Sequence, residues 1–178
     1  MRNELYLLIT RLMEYFRVMG IEPRLQLDPL ELQQTFYRRS RELHPDRFAR
    51  AAKTQQDAAL AESSLLNDAY RTLKDPVART EYFLKEKGLD IATQGTKQVP
   101  PELLEEVFEL NLLLEEAQGG PELEAAKERF ETLLREADRE LESLFPDAEN
   151  QLPALRQLLN RRRYIANLVR DIHGHFSN

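Results

Sequence analysis

Apolar residues along this chain recur at spacings of three and four, and no stretch sustains the alternation of apolar and polar positions that a strand needs. Side chains three and four apart share one face of a helix, so the pattern predicts an all-α fold. The periodic runs are about Glu4–Met19, Pro29–Leu43, Thr54–Leu73, Pro76–Lys87, Pro101–Gln118, Pro121–Leu144 and Asp147–His173. Breakers fill the gaps: Gly88 to Pro100 contains Gly95 and runs into Pro101, Gly119-Gly120-Pro121 separates two later runs, and Phe145-Pro146 separates the last two. The expected organisation is a helical domain over 1–88 with an N-terminal extension, a linker over 89–100, and a C-terminal three-helix bundle over 101–178. In the extension, Leu5, Leu8, Leu12, Phe16 and Met19 would form one apolar stripe, read as a packing surface rather than a membrane contact.

The run from Pro29 begins with strong local signals. Asp28 is placed to cap free N–H groups, Pro29 suits the first helical turn, and Glu31 completes a capping box. Leu32, Phe36 and Leu43 fall on one stripe, while Arg38 and Arg41 project from the outer side. Pro45 lacks an N–H and biases His44 away from the helical region, so this helix should stop at or just before His44. The tripeptide His44-Pro45-Asp46 is therefore expected at an exposed corner between two helices.

Those residues resemble the signature of a J-domain. Tyr15-Phe16-Arg17-Val18-Met19-Gly20 is similar to the short first helix of that family, His44-Pro45-Asp46-Arg47-Phe48 to its loop, and Leu66-Asn67-Asp68-Ala69-Tyr70-Arg71-Thr72-Leu73-Lys74-Asp75-Pro76 to its closing stretch. The continuation Pro76-Val77-Ala78-Arg79-Thr80-Glu81-Tyr82-Phe83-Leu84, then Gly88 and an acidic helical remainder, resembles the HscB co-chaperones. The resemblance implies an N-terminal J-domain helical hairpin joined to a C-terminal three-helix bundle. It also implies that the loop stimulates ATP hydrolysis by a DnaK/HscA-type chaperone, and that the bundle binds an IscU-type iron–sulfur scaffold. His44, Pro45, Asp46, Arg38, Arg41 and Arg47 would then form the chaperone-binding set. Arg39 stands where the family commonly has an apolar residue, so its stem is expected to cover the core edge while its head reaches water.

Charge is segregated in a way that suits two protein partners. Between Gln33 and Lys53 six basic residues face two acidic ones, whereas Pro101 to Asn150 holds sixteen acidic residues against four basic, within a net charge of -6. The 178 residues include no cysteine, which excludes disulfides and iron–sulfur ligation by this chain's own thiolates. No apolar run approaches a membrane span, and the protein reads as cytoplasmic.

The bundle's first predicted helix is apolar over more than one stripe. Leu103, Val107, Leu110 and Leu114 line one face, and Leu104, Phe108 and Leu112 a neighbouring one, which means either a wide core or an exposed binding patch. Matching to the family pattern assigns Leu104, Phe108, Glu109, Leu112, Glu116 and Tyr164 to the client-binding set, although Leu112 stands where relatives have an acid. Three further readings are set aside. His44 and Asp46 lack a nucleophile or second base for catalysis. The basic run Arg161-Arg162-Arg163 adjoins acidic helices that would repel phosphate and should pair with the arginines instead. His173 and His175 lack further metal-type ligands. The reading is thus a non-enzymatic co-chaperone without a cofactor; its rivals are a J-protein for a different client and a helical interaction module without ATPase stimulation.

Overall fold

The computed structural model describes residues 13–89, 104–105, 108–109, 112 and 120–176, and these are helical or connecting segments with no strand among them. They divide into two compact units between Leu89 and Asp90. The expected linker beyond Leu89 and most of the helix predicted over Pro101–Gln118 lie outside the described residues, as do Leu5, Leu8 and Leu12.

Among the described residues of the first unit lie the helices α1 (Glu14–Met19), α2 (Pro29–Glu42), α3 (Lys53–Leu73) and α4 (Pro76–Glu86), with a 3-10 helix at Pro45–Phe48. Helix α3 is the centre, packing against α1, α2, the 3-10 helix and α4. Among the described residues of the unit, Phe16, Met19, Leu25, Leu66, Leu73, Phe83 and Leu84 are fully buried large side chains. Each such residue contributes roughly 1.5–3 kcal/mol through loss of apolar surface to water.

The predicted helix Glu4–Met19 does not run through Met13, whose backbone is non-helical at φ -125° and ψ 49°. Met13 instead turns its side chain into the core, where it is buried, and helix α1 starts one residue later. At the other end Gly20 adopts φ 70°, a left-handed conformation open to glycine, and its N–H and that of Ile21 satisfy the carbonyls of Arg17 and Phe16. Asp28 caps α2 as expected, accepting the Glu31 N–H at 2.8 Å with Pro29 in the first turn. Asp75 repeats the device for α4, accepting the Ala78 N–H at 2.8 Å. Arg79 in that helix is buried and donates from Nη1 to the Leu73 carbonyl at 2.6 Å, which ties α4 to the C-terminal end of α3.

In the second unit α5 (Gly120–Ser143) and α6 (Leu152–Phe176) pack against each other, joined by a 3-10 helix at Phe145–Asn150. Ala126, Phe130, Leu133, Ala137 and Leu141 are buried at helical spacing along α5, and Leu155, Leu159 and Ile165 answer from α6. Helix α6 begins at Leu152 rather than the predicted Asp147. A helix starting at Asp147 would carry Pro153 in its interior, with a lost hydrogen bond and a clash against the preceding turn. The chain instead forms the 3-10 segment, with Asp147 non-helical at φ -121° and ψ 31°, and places Pro153 in the first turn of α6. The basic run of α6 pairs with α5 as expected: Arg161 Nη1 lies 2.7 Å from Glu140 Oε2, and Arg162 Nε donates to Asp138 Oδ1.

Candidate functional site

Helix α2 delivers the conspicuous loop. Its apolar side faces α3: Leu32 is buried, and Phe36 stacks on Tyr70 with ring centroids 4.3 Å apart and planes at 17°. That orientation turns Arg38 and Arg41 outward, where both are exposed. Arg38 Nη1 stands 3.8 Å from Glu42 Oε1, an exposed pair of low energy that leaves the guanidinium accessible. The helix ends at Glu42, one residue before the predicted Leu43, whose N–H still donates to the Arg39 carbonyl at 2.9 Å.

Beyond it His44 is extended at φ -60° and ψ 127°, as a residue before proline prefers, and Pro45 opens the 3-10 helix. His44 Nδ1 accepts the Asp46 N–H at 3.3 Å, an arrangement that leaves the ring proton of the neutral imidazole on Nε2. The same nitrogen is 3.5 Å from Asp46 Oδ2, an ion pair only when the ring is protonated. Asp46 is nonetheless open to water, its side chain 89% exposed. Arg47 closes the corner by donating its N–H to the His44 carbonyl at 3.0 Å and its Nη1 to the Arg41 carbonyl at 3.4 Å. The structure thus brings His44, Pro45, Asp46, Arg41 and Arg47 together at one end of α2, with Arg38 along the same helix. A carboxylate held out on a short turn beside guanidinium groups can accept a charge-assisted hydrogen bond from a partner's cation. Among the described residues no cluster of side chains is arranged to hold a metal ion.

Arg39 departs from expectation. Its head does not simply reach water: Nε donates to the Val18 carbonyl at 3.0 Å and Nη1 to Glu42 Oε2 at 2.6 Å. The α1 C-terminus presents carbonyls without intrahelical partners, and a fixed guanidinium fork satisfies one of them better than water at a part-buried seam. Sequence reasoning also passed over Gln56, whose Nε2 donates to the carbonyls of Ala49 at 3.3 Å and Ala51 at 3.0 Å. A glutamine in the first turn of a helix carries no sequence signal that distinguishes it from a solvated residue.

In the second unit Leu104, Phe108 and Leu112 are helical and are 55%, 70% and 45% exposed. Of the two stripes on that segment, this one lies at the surface with Glu109 exposed beside it, while Leu103, Val107, Leu110 and Leu114 lie outside the described residues. Glu116 also lies outside them. Tyr164 is half-buried against the cluster of Phe130, Leu133, Ala137 and Ile165, so it contributes to packing between α5 and α6.

Comparison with known proteins follows the same division. Residues 14–82 match the DnaJ domain family, and residues 99–173 match the family described as the HSCB C-terminal oligomerisation domain. A co-chaperone protein HscB homolog from Neisseria meningitidis serogroup C (strain FAM18) is 40% identical over 114 residues, covering 64% of this chain and 69% of that one. A co-chaperone protein HscB homolog of Vibrio vulnificus is 30% identical over 164 residues, covering 90% of this chain and 95% of that protein. The crystal structure of human co-chaperone protein HscB superposes with a TM-score of 0.70 at 27% identity, over 89% of this chain and 80% of the human one. J-domains act with Hsp70-type chaperones, so such a chaperone is the partner that the first unit implies. The exposed His44-Pro45-Asp46 turn and the two matched domains lead to one conclusion: the chain belongs to the HscB family of J-domain co-chaperones.

Proposed function

We propose that the chain stimulates ATP hydrolysis by a DnaK/HscA-type chaperone and delivers an IscU-type iron–sulfur scaffold to it. The observation that carries this reading is Asp46, a carboxylate 89% exposed on a turn whose backbone is tied at several points. Such a group costs little conformational entropy to engage, because the turn is ordered before the partner arrives. Arg38 and Arg41 supply the positive field that draws an acidic chaperone surface toward the turn. The exposed face of Leu104, Phe108 and Leu112 offers the scaffold an apolar anchor with Glu109 at its border. One chain then carries the client and the ATPase trigger, so hydrolysis takes place where the client is held and closes the chaperone on it.

The proposal is tested by single-turnover ATP hydrolysis with a purified Hsp70-type chaperone, with and without the chain, together with calorimetric titration of the chain with an IscU-type scaffold. Faster hydrolysis and saturable scaffold binding are expected. Faster hydrolysis without scaffold binding would mean a J-protein for another client; scaffold binding without faster hydrolysis would mean an adaptor with an inactive J-domain.

A further inference from the structure

We infer that Gln56 is a positioning residue for the His44-Pro45-Asp46 turn, acting from the first turn of α3 through backbone carbonyls rather than by touching a partner. The inference rests on the reading of Asp46 as the chaperone contact and adds what holds that carboxylate in place. Gln56 Nε2 donates to Ala51 O at 3.0 Å and to Ala49 O at 3.3 Å, across the segment that leads out of the turn. Two carbonyl oxygens demand a donor, so the amide nitrogen and not the amide oxygen must face them. Ala49 in turn donates its N–H to the Asp46 carbonyl at 3.3 Å, and Ala51 donates to Phe48 at 2.9 Å. A two-step chain therefore links Gln56 to Asp46: side-chain amide to Ala49, and Ala49 to the backbone of Asp46. Ala52, the N-cap of α3, has no side chain able to cap, so Gln56 is the side chain that fastens the loop to the start of that helix.

The chemistry separates this role from a general contribution to helix stability. Glutamate at position 56 presents oxygen to both carbonyls and repels them, yet its charge favours the N-terminal turn of α3. Lysine at the same position keeps N–H donors for the carbonyls, yet its charge is mildly unfavourable there. A helix-stability role thus orders the variants Glu above Lys, whereas a positioning role orders them Lys above Glu.

The experiment compares the intact chain with Gln56→Glu and Gln56→Lys by amide hydrogen exchange at Arg47, Ala49 and Ala51, and by single-turnover ATP hydrolysis titrated with each chain. Gln56→Glu should speed exchange at these amides about two- to tenfold, as loss of one net hydrogen bond allows, and lower the maximal stimulation more than the half-saturating concentration. Gln56→Lys should resemble the unaltered chain in both. Unchanged exchange in Gln56→Glu, or Gln56→Lys as defective as Gln56→Glu, overturns the inference while leaving the proposed function standing. Absence of stimulation by the unaltered chain would remove the proposed function, and the role of Gln56 with it.

Discussion

Arg39 Nε donates to the carbonyl of Val18 at 3.0 Å, joining the last turn of α2 to the C-terminal turn of α1. The second arm of the same guanidinium holds Glu42 Oε2 at 2.6 Å, and the side chain is only 26% exposed. A hydrogen bond from a charged group at a part-buried seam is worth about 1.5–3 kcal/mol, so Arg39→Ala should destabilise the first unit by that amount. Arg39→Lys should recover little of it, since a single ammonium nitrogen cannot stand at both the Nε and the Nη1 positions from which the guanidinium donates. Denaturant unfolding of the two variants checks this, and equal stability of Arg39→Ala and the unaltered chain would show the bond to be idle.

Outward-facing Arg38 and Arg41 lead to a kinetic prediction. Reversing both charges to Glu should slow association with the Hsp70-type chaperone and flatten its dependence on salt, because steering charges act before close contact and are screened by ions. Stopped-flow association at two salt concentrations reads this directly. Scaffold binding should be unaffected, and an unchanged on-rate at low salt would place the docking surface elsewhere.

Leu104, Phe108 and Leu112 are all substantially exposed, so truncating them to Ala should leave the bundle's melting temperature nearly unchanged. If they anchor the scaffold, the triple change should cost about 2–4 kcal/mol of binding. Calorimetric titration with an IscU-type scaffold, beside a melting curve of the variant, distinguishes a binding face from a packing face. Undiminished affinity would remove this face from the proposed client site.

Tyr82 stacks on Tyr15 with centroids 4.4 Å apart and accepts the Tyr15 N–H at 3.1 Å on its hydroxyl oxygen. Burial pushes its hydroxyl up to about 12 from an ordinary 10.0, and the nearby Glu86 carboxylate adds to the rise. The folded state therefore holds the phenolic proton more tightly than the unfolded chain does. That contribution to stability is complete below pH 10.0 and is lost as pH rises toward about 12. Chemical denaturation across this range should show stability falling with pH, with a shallower fall in Tyr82→Phe. Identical slopes would mean that Tyr82 titrates alike in both states.

Much of the fold was legible because its signals are local. Asp28-Pro29 and Asp75-Pro76 each place a capping carboxylate beside a proline suited to a first turn, and both helices begin there. Leu32, Phe36, Leu66 and Leu73 keep helical spacing and meet in one core or at its edge. The start of α6 was misplaced because apolar spacing continues through Phe145 and Ala148, both buried, although the backbone there is 3-10. Pro153 carried the missing signal. Of the candidate site, the exposed corner at His44-Pro45-Asp46 was legible through the helix-stopping effect of Pro45, and the outward placement of Arg38 and Arg41 through the apolar stripe on the opposite side of α2. The bonds made by Arg39 and Gln56 were not, since each depends on which carbonyl of another segment comes within reach.

Asp46→Asn removes the charge of a side chain 89% exposed while keeping its shape, so it separates the carboxylate's part in triggering hydrolysis from any part in folding. Stability should stay within about 0.5 kcal/mol of the unaltered chain, as for most surface substitutions. Single-turnover ATP hydrolysis by the Hsp70-type chaperone should lose its acceleration by the chain. Full acceleration by a folded Asp46→Asn chain would contradict the account, since the carboxylate would then have no part in triggering hydrolysis.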